Sequence, residues 1–237
     1  MKNITILTGA GISADSGLAT FRDNDGLWNN HKVEDVATYD GFKSNKKLVY
    51  DFYNNLRSEA KNYKPNEAHV ALSRLESEYK DGKVTIITQN VDDFHRLAGS
   101  KNVIHMHGEL NKARCEYCLN VFDVDGDFDE STKCEKCGKD HVLRPHIVWF
   151  GEMPLYMALI DEVLNNTDLF VAIGTSGVVY PAAGFIARIK QIGKAKAVEL
   201  NLKKSETNGL FDKYLEGKAK TTVPAFVDKV LEGKDLF

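Results

Sequence analysis

The segment Thr85–Leu110 limits the fold of this chain more than any other feature. It reads TIITQNVDDFHRLAGSKNVIHMHGEL, with β-branched runs at Thr85–Ile87 and Val103–Ile104 that are typical of buried parallel strands. The polar residues that follow these strands are Gln89, Asn90, Asp92, His105 and His107. In open parallel sheets, ligands lie outside the carboxyl ends of the strands. We therefore expect an α/β fold whose active site contains this polar cluster, with either histidine as a candidate base.

A second strand of the same kind opens the chain. Ile4–Leu7 runs into a glycine-rich turn in which Gly9, Gly11 and Ala14 match the G-x-G-x-x-G/A pattern. Such a turn lets the backbone approach a pyrophosphate at a helix N-terminus, although a turn that binds nothing has the same sequence. A plain dehydrogenase is disfavoured, because Phe21–Glu34 lacks the second strand that this motif requires.

The periodicity of apolar residues predicts the remaining helices and strands. Val33–Lys64 is predicted to be a helical insertion, with Leu48, Phe52, Tyr53 and Leu56 on one apolar face. The other predicted helices and strands are a helix at His69–Tyr79 with Val70, Leu72 and Leu75 facing the sheet, strands at Asp168–Ile173 and Ala197–Leu200, and helices at Ala183–Ile192 and Pro224–Leu231. His69 is interpreted as structural.

Four cysteines form two closely spaced pairs. Cys115 and Cys118 are separated by fifteen residues from Cys134 and Cys137, a spacing that matches a four-thiolate zinc site. The intervening segment is acidic and poor in apolar residues, so we expect a structural zinc ion to stabilise it. Its acidity disfavours a nucleic-acid-binding zinc ribbon.

The charge and the termini exclude several classes of protein. The 237 residues carry a formal net charge of −3, which disfavours general binding to nucleic acids or anionic membranes. Only three residues precede the first strand, too few for a signal peptide, and no apolar run reaches the ~18 residues of a membrane span. We expect a cytoplasmic monomer.

The combined motifs resemble the sirtuins, NAD-dependent protein lysine deacylases, and among them the compact bacterial members of class III. The motifs that carry this resemblance are GAGISADSGLATFRD (9–23), TQNVDDFHRLAGS (88–100), HMHGEL (105–110), the two cysteine pairs, FGE (150–152), GTS (174–176) and ELN (199–201). The resemblance covers essentially the whole chain.

The resemblance implies a Rossmann-like NAD-binding domain and a small domain, with acyl-lysine protein substrates entering the cleft between them. The implied boundaries are 1–30, 65–110 and 145–237 for the NAD-binding domain, and 31–64 (helical module) and 111–144 (zinc-binding module) for the small domain. The implied reaction transfers the acyl group of lysine to ADP-ribose and releases nicotinamide and O-acyl-ADP-ribose.

The resemblance also assigns roles to individual residues. It selects His107 as the general base, with Asn90 and Asp92 as its catalytic partners at the nicotinamide ribose and carboxamide. The implied cofactor-binding residues are Gly9, Ala10, Gly11, Ser13, Phe21, Arg22, Gln89, Asn90, Asp92, Gly174, Thr175, Ser176, Asn201, Gly217 and Ala219. The implied substrate-binding residues are Tyr53, Val148, Trp149, Phe150, Gly151, Gly177 and Val178.

One departure from the class III pattern concerns the acyl group. Members that accept negatively charged acyl groups have an Arg three residues after the Tyr, whereas here Leu56 follows Tyr53 at that spacing. Arg57 is one residue further, and a rotation of about 100° should direct it away from the face of Tyr53. We therefore predict weak desuccinylation relative to deacetylation. A second departure, Ala19, is expected to have little consequence.

Three other functions fit parts of the pattern. The same scaffold would suit a protein ADP-ribosyltransferase or NAD glycohydrolase, in which another nucleophile or water attacks the ribose. A binding module that only recognises peptide or NAD has no need of His107. A dehydrogenase would produce NADH, which we do not expect.

Overall fold

The computed structural model describes residues 2–18 and 27–237. In these ranges the strands are β1 (Asn3–Thr8), β2 (Leu27–Trp28), β3 (His31–Lys32), β4 (Lys83–Thr88), β5 (Val103–His105), β6 (Gly108–Cys115), β7 (Val121–Asp123), β8 (Leu143–Ile147), β9 (Leu169–Ile173), β10 (Lys196–Asn201) and β11 (Lys213–Glu216). The α-helices are α1 (Ala10–Ala14), α2 (Val33–Val36), α3 (Tyr39–Ser44), α4 (Lys46–Ala60), α5 (Glu67–Glu78), α6 (Phe94–Leu97), α7 (Met157–Asn165), α8 (Phe185–Ile192) and α9 (Ala219–Leu231). Two short 3₁₀ turns lie at Ala182–Gly184 and Asn208–Leu210.

The larger sheet has six parallel strands in the order β11-β10-β9-β1-β4-β5. Helices α5 and α9 pack on one face of this sheet, and α7 and α8 pack on the other. Because both faces are covered, the strands are rich in β-branched and aliphatic residues, as the sequence predicted. The α/β fold class is confirmed.

The order of the strands creates a switch point beside β1. From β1 the chain proceeds to β4 and β5 on one side, and it later returns to β9 on the other side. The loops after β1 and β9 therefore leave in opposite directions, which opens a crevice at their carboxyl ends.

A second, smaller hydrophobic core joins the helical and cysteine-containing segments. The antiparallel sheet β7-β6-β8 packs against α2, α3 and α4 through buried side chains that include Phe42, Tyr53, Leu110 and Trp149. This sheet runs from Gly108 to Ile147. The domain boundaries implied by the resemblance stay a prediction.

Helix α5 differs from expectation in the face that it buries. Val70 is 55% exposed, whereas Ala68, Leu72 and Leu75 lie in the core. The prediction for Val70 was wrong because two residues of α-helix rotate a side chain by about 200°, so Val70 and Leu72 lie on nearly opposite faces. His69 is buried and accepts a hydrogen bond from the Asn66 N–H, which completes a capping box.

Two other segments also differ from the predicted elements. Helix α9 begins at Ala219, not at Pro224, which lies inside the helix. The predicted start was therefore five residues late. In the described part of Phe21–Glu34, β2 and β3 form a hairpin separate from the large sheet; its turn residues Asn29 and Asn30 have φ of 46° and 65°. Asparagine tolerates this conformation better than most residues.

No helix in the described ranges is long and apolar enough to cross a membrane.

Candidate active site and metal centre

Three glycines allow the loops after β1 and β9 to touch at the switch point. The Gly9 N–H donates to the Ile173 carbonyl at 3.0 Å, and the Gly11 N–H donates to the Gly174 carbonyl at 2.9 Å. A Cβ on Gly11 would lie 2.7 Å from the Gly174 Cα, and Gly174 itself has a φ of +61°. The glycines are therefore required for close packing of the two turns. Gly9 and Ala10 line the crevice, whereas Gly11 does not.

A buried polar cluster lies at the base of the crevice. The Asp92 carboxylate accepts hydrogen bonds from the Ser13 hydroxyl at 2.9 Å and from the Phe94 N–H at 3.1 Å. The Asn90 amide donates to the Gly9 carbonyl and to the Ser13 hydroxyl, each at 3.1 Å. Burial raises the pKa of Asp92 to about 6, although both of its hydrogen bonds oppose the shift. A carboxylate held in this way retains lone pairs that suit an amide N–H donor.

His107 is held in one tautomer by the backbone. Its Nδ1 lies 3.0 Å from the carbonyl oxygen of Gln89. Since a carbonyl only accepts, Nδ1 carries the proton and Nε2 carries the lone pair. Burial lowers the pKa of His107 below its usual value, with the Gln89 carbonyl acting in the opposite direction. A neutral imidazole with a free Nε2 is the form that a general base requires.

The structure separates the two candidate histidines. His107 lines the crevice, whereas His105 ends β5 and faces Asp93, Glu109 and Lys112 outside it. The position of His105 therefore disfavours it as the general base.

Most of the predicted site residues line one continuous cleft. Those that do are Gly9, Ala10, Ser13, Tyr53, Gln89, Asn90, Asp92, His107, Val148, Trp149, Phe150, Gly151, Gly174, Thr175 and Ser176. Phe21 and Arg22 lie outside the described residues. Gly11, Gly177, Val178, Asn201, Gly217 and Ala219 are not part of the cleft wall.

Asn201 and Gly217 form a layer behind that wall. The Asn201 amide donates to the Thr175 carbonyl at 2.6 Å, and the Gly217 N–H donates to the Asn201 carbonyl at 3.0 Å. These contacts fix the loop after β9, and neither Asn201 nor Gly217 lines the cleft.

The cleft also has apolar members that the sequence reasoning did not identify as site residues. They include Trp28, Leu110 and Ile147. Val179 and Tyr180, which follow the predicted substrate-binding residues Gly177 and Val178, also line the cleft. Trp28 reaches the cleft from the short hairpin and packs edge-to-face on Phe52, with ring centroids 5.1 Å apart. Neither periodicity nor a motif marks Trp28, because its position depends on contacts between distant segments.

The segment after β8 is hydrogen-bonded both to His107 and to the helical segment that follows β3. The Val148 N–H donates to the His107 carbonyl at 2.8 Å, and the Phe150 N–H donates to the Ala37 carbonyl at 2.9 Å. The Glu152 carboxylate accepts from the Trp149 N–H at 2.8 Å and from both terminal nitrogens of buried Arg144, at 2.7 and 2.9 Å. The wall of the cleft opposite the large sheet is thereby fixed relative to His107.

The four cysteines converge as the spacing predicted. Their Sγ atoms lie within 4.8 Å of one another, with Cys115–Cys137 at 3.8 Å and Cys118–Cys134 at 3.7 Å. A tetrahedron with Zn–S bonds of 2.3 Å has sulfur–sulfur edges of about 3.8 Å, so the thiolates fit one zinc ion. Four thiolates leave no open coordination position, which makes the site structural.

Comparison with known proteins places the chain in a family. The sequence model of the Sir2 family matches residues 9–181. The NAD-dependent protein deacylase SIR2rp3 of Leishmania major is 57% identical over 97% of this chain and 96% of its own length. The NAD-dependent protein deacylase of Vibrio vulnificus strain YJ016 is 51% identical over 97% of this chain and 94% of its own length.

A solved structure supports the same conclusion. The structure described as a Sir2 homolog–NAD complex has a TM-score of 0.87 and 38% identity, covering 98% of this chain and 90% of that chain. The chain belongs to the Sir2 family.

Proposed function

We propose that this protein is an NAD-dependent protein lysine deacylase that transfers the acyl group of lysine to ADP-ribose and releases nicotinamide. The relatives named as NAD-dependent protein deacylases match it over nearly their full length, which supports this activity. The observation that carries the proposal is the single tautomer of His107, whose unprotonated Nε2 belongs to the cleft beside Asn90 and Asp92.

NAD would be held along the switch point. The residues proposed to bind it at the cleft surface are Gly9, Ala10, Ser13, Gln89, Asn90, Asp92, Gly174, Thr175 and Ser176. NAD supplies an electrophilic ribose carbon whose leaving group is nicotinamide. The buried Asp92 carboxylate is suited to accept the carboxamide N–H, and its bonds to Ser13 and Phe94 keep it in place. Phe21, Arg22, Asn201, Gly217 and Ala219 stay predictions for the same cofactor.

The acyl-lysine peptide is proposed to lie between the segments 148–151 and 177–178. The Val148–His107 hydrogen bond fixes the first of these segments beside the base. The proton removed during acyl transfer would move to Nε2 of His107, because its Nδ1 already donates to Gln89. The zinc ion would stabilise the small domain and take no part in the reaction. Cytoplasmic location and a monomeric state stay predictions.

The test is turnover of an acetyl-lysine peptide with NAD, measuring deacetylated peptide and nicotinamide together. Two matched variants, His107→Ala and His105→Ala, remove imidazoles two residues apart. We expect equal amounts of both products in the wild type, a loss of at least about 100-fold in His107→Ala, and near wild-type turnover in His105→Ala. Nicotinamide release without deacetylation would favour an NAD glycohydrolase or ADP-ribosyltransferase. Loss of activity in His105→Ala alone would reject the assignment of the base.

A further inference from the structure

Glu199 is a buried acidic residue that the proposed reaction does not use. It lies in β10, it is 0% exposed, and it is not part of the cleft wall. Its Oε1 accepts hydrogen bonds from the Ser205 N–H at 2.9 Å and from the Asn201 amide at 3.3 Å. Its Oε2 accepts a hydrogen bond from the Asn208 amide at 2.6 Å. All of these donors are neutral groups. Hydrogen bonds to a carboxylate are stronger than those between neutral groups, so Glu199 holds its partners firmly.

The donors of Glu199 fix the connection between β10 and β11. Ser205 and Asn208 lie in its first half, 202–208, in which no residue is buried. Leu202, the apolar residue of this segment, is 58% exposed. A segment with so few buried apolar contacts has a low local stability, which rests mainly on its hydrogen bonds. The order of 202–208 therefore depends on the Glu199 carboxylate.

The segment 202–208 supports the loop after β9 from behind the cleft. The Glu206 N–H donates to the Ser176 carbonyl at 3.0 Å. The Asn201 amide, which donates to Glu199, also donates to the Thr175 carbonyl at 2.6 Å. Since Thr175 and Ser176 line the cleft, the position of this part of the wall depends on Glu199, which does not reach the cleft itself.

A close contact joins the same two segments one residue further along. A Cβ on Gly177 would lie 2.7 Å from the Thr207 hydroxyl oxygen and 3.0 Å from the Thr207 nitrogen. Gly177 also has a φ of +74°, a conformation that glycine adopts without strain. A shift of 205–208 would therefore move the residues 175–177 with it.

The order of the strands indicates which half of NAD this loop faces. Strands β9 and β10 lie on the side of β1 opposite β4, and Asn90 and Asp92 follow β4. With nicotinamide at Asp92, the other end of the dinucleotide would extend across the switch point towards the loop after β9. That end is the adenosine half.

We propose that Glu199 is a positioning residue that sets the affinity for the adenosine half of NAD by holding 202–208 against the loop after β9. This inference rests on the proposed deacylase function, because that function places nicotinamide at Asp92. Glu199→Gln keeps the shape of the side chain, but an amide nitrogen at either oxygen position would face a donor. The variant therefore loses at least one hydrogen bond and the charge that strengthens the others.

The experiment compares Glu199→Gln with Glu216→Gln in the full chain. Glu216 is exposed at the end of β11, so this control removes the same charge at the same edge of the sheet without changing the network. Calorimetry measures the Kd of ADP-ribose, which lacks nicotinamide, and steady-state kinetics with an acetyl-lysine peptide measure the NAD KM and kcat.

Glu199→Gln should raise the ADP-ribose Kd and the NAD KM about tenfold, because an apparent Kd rises as the fraction of protein in the binding conformation falls. Its kcat at saturating NAD and peptide should stay within about twofold of the wild-type value, since the interactions that act on the reacting atoms are kept. Glu216→Gln should match the wild type in all three quantities.

Hydrogen exchange gives an independent readout of the same network. The amides of Ser205 and Glu206 should lose protection in Glu199→Gln, while those of β9 keep theirs. Asn208→Ala is a second variant, which removes one donor from a partly exposed residue and leaves the carboxylate in place. It should raise the ADP-ribose Kd by a smaller factor than Glu199→Gln.

The outcomes separate this inference from the proposed function. A wild type that neither binds NAD nor deacetylates the peptide would reject the proposed function. An active wild type with an unchanged ADP-ribose Kd in folded Glu199→Gln would reject the inference alone. A fall in kcat as large as the loss of affinity would also reject it, because general destabilisation predicts that result. If Glu199→Gln does not fold, an unchanged ADP-ribose Kd in Asn208→Ala rejects the inference.

Discussion

Replacing Glu152 with Gln should destabilise the wall of the cleft. Oε1 of Glu152 accepts from Arg114 and Arg144, and Oε2 accepts from Arg144 and the Trp149 N–H. An amide nitrogen at either position would face two donors and could pair with neither. Burial alone would raise the pKa of the Glu152 carboxyl, but Arg144 and the Trp149 N–H hold it below its usual range. The native state therefore depends on the ionised form.

The expected loss of stability follows from the charge that Glu152→Gln leaves behind. The Arg144 side chain is 1% exposed, so it would become a buried charge without its main counter-ion. Removing one partner of a buried pair costs about 3–5 kcal/mol. Because the Glu152 side chain is 23% exposed, we expect the lower end, about 3 kcal/mol. For a chain of this size that corresponds to a fall in Tm of about 6–12 °C.

A matched control is available in the same network. Glu116 lies 3.9 Å from Arg144 and is 36% exposed, so Glu116→Gln should cost at most about 1 kcal/mol. The assay is urea unfolding of both variants followed by circular dichroism, together with peptide KM. Since Phe150 and Gly151 line the cleft on the same segment, Glu152→Gln should also raise the peptide KM more than the NAD KM. Equal stability of the two variants would refute the reasoning.

Three further predictions concern other parts of the fold. His69→Gln keeps an N3 side chain for the capping box but removes a group whose pKa burial lowers from 6.5 to about 4. Between these pH values His69 is neutral in the folded state and protonated in the unfolded state, so the wild type should lose about 3 kcal/mol of unfolding free energy as the pH falls from 6.5 to 4. The variant should lose less. An equal fall in the unfolding free energy of both proteins over this pH range, measured by urea unfolding, would contradict this. Chelation of zinc should unfold β6–β8 and leave the large sheet folded, which hydrogen exchange would show. Cys134→Ser should behave like the chelated protein. Equal protection of β6–β8 and of the large sheet after chelation would contradict this prediction. Gly174→Ala would place a Cβ 2.5 Å from the Ile12 nitrogen at a residue whose φ is +61°, so the turn that lines the cleft would have to shift. NAD binding, measured by calorimetry, should therefore weaken at least tenfold. The control Gly209→Ala, which has open space around its Cβ, should bind NAD normally.

The sequence predicted those features that depend on local patterns. The parallel strands follow from β-branched runs, and the metal centre follows from cysteine spacing, because both signals persist whatever the rest of the chain does. The glycine-rich turn was located correctly, but the structure gives Gly11 a packing function against Gly174 that the motif alone does not distinguish from ligand contact.

The features that escaped prediction depend on contacts between distant segments. His105 and His107 have the spacing of residues on one face of a strand, so the sequence pattern does not distinguish them. They differ because β5 ends at His105 and His107 lies beyond it. Asn201 lies behind Thr175 because its amide donates to the Thr175 carbonyl from the end of β10, a contact that no local pattern records. Trp28 lies at the cleft while it packs edge-to-face on Phe52 and Tyr53 of α4, which are distant in sequence.

The most direct test of the account is a mass balance of the reaction products. Acetyl-lysine peptide is incubated with NAD, and nicotinamide, deacetylated peptide and O-acetyl-ADP-ribose are quantified by mass spectrometry. The account predicts equal amounts of all three, each abolished together by His107→Ala. Free acetate with NAD left intact, or free ADP-ribose with the peptide still acetylated, would contradict acyl transfer to ADP-ribose.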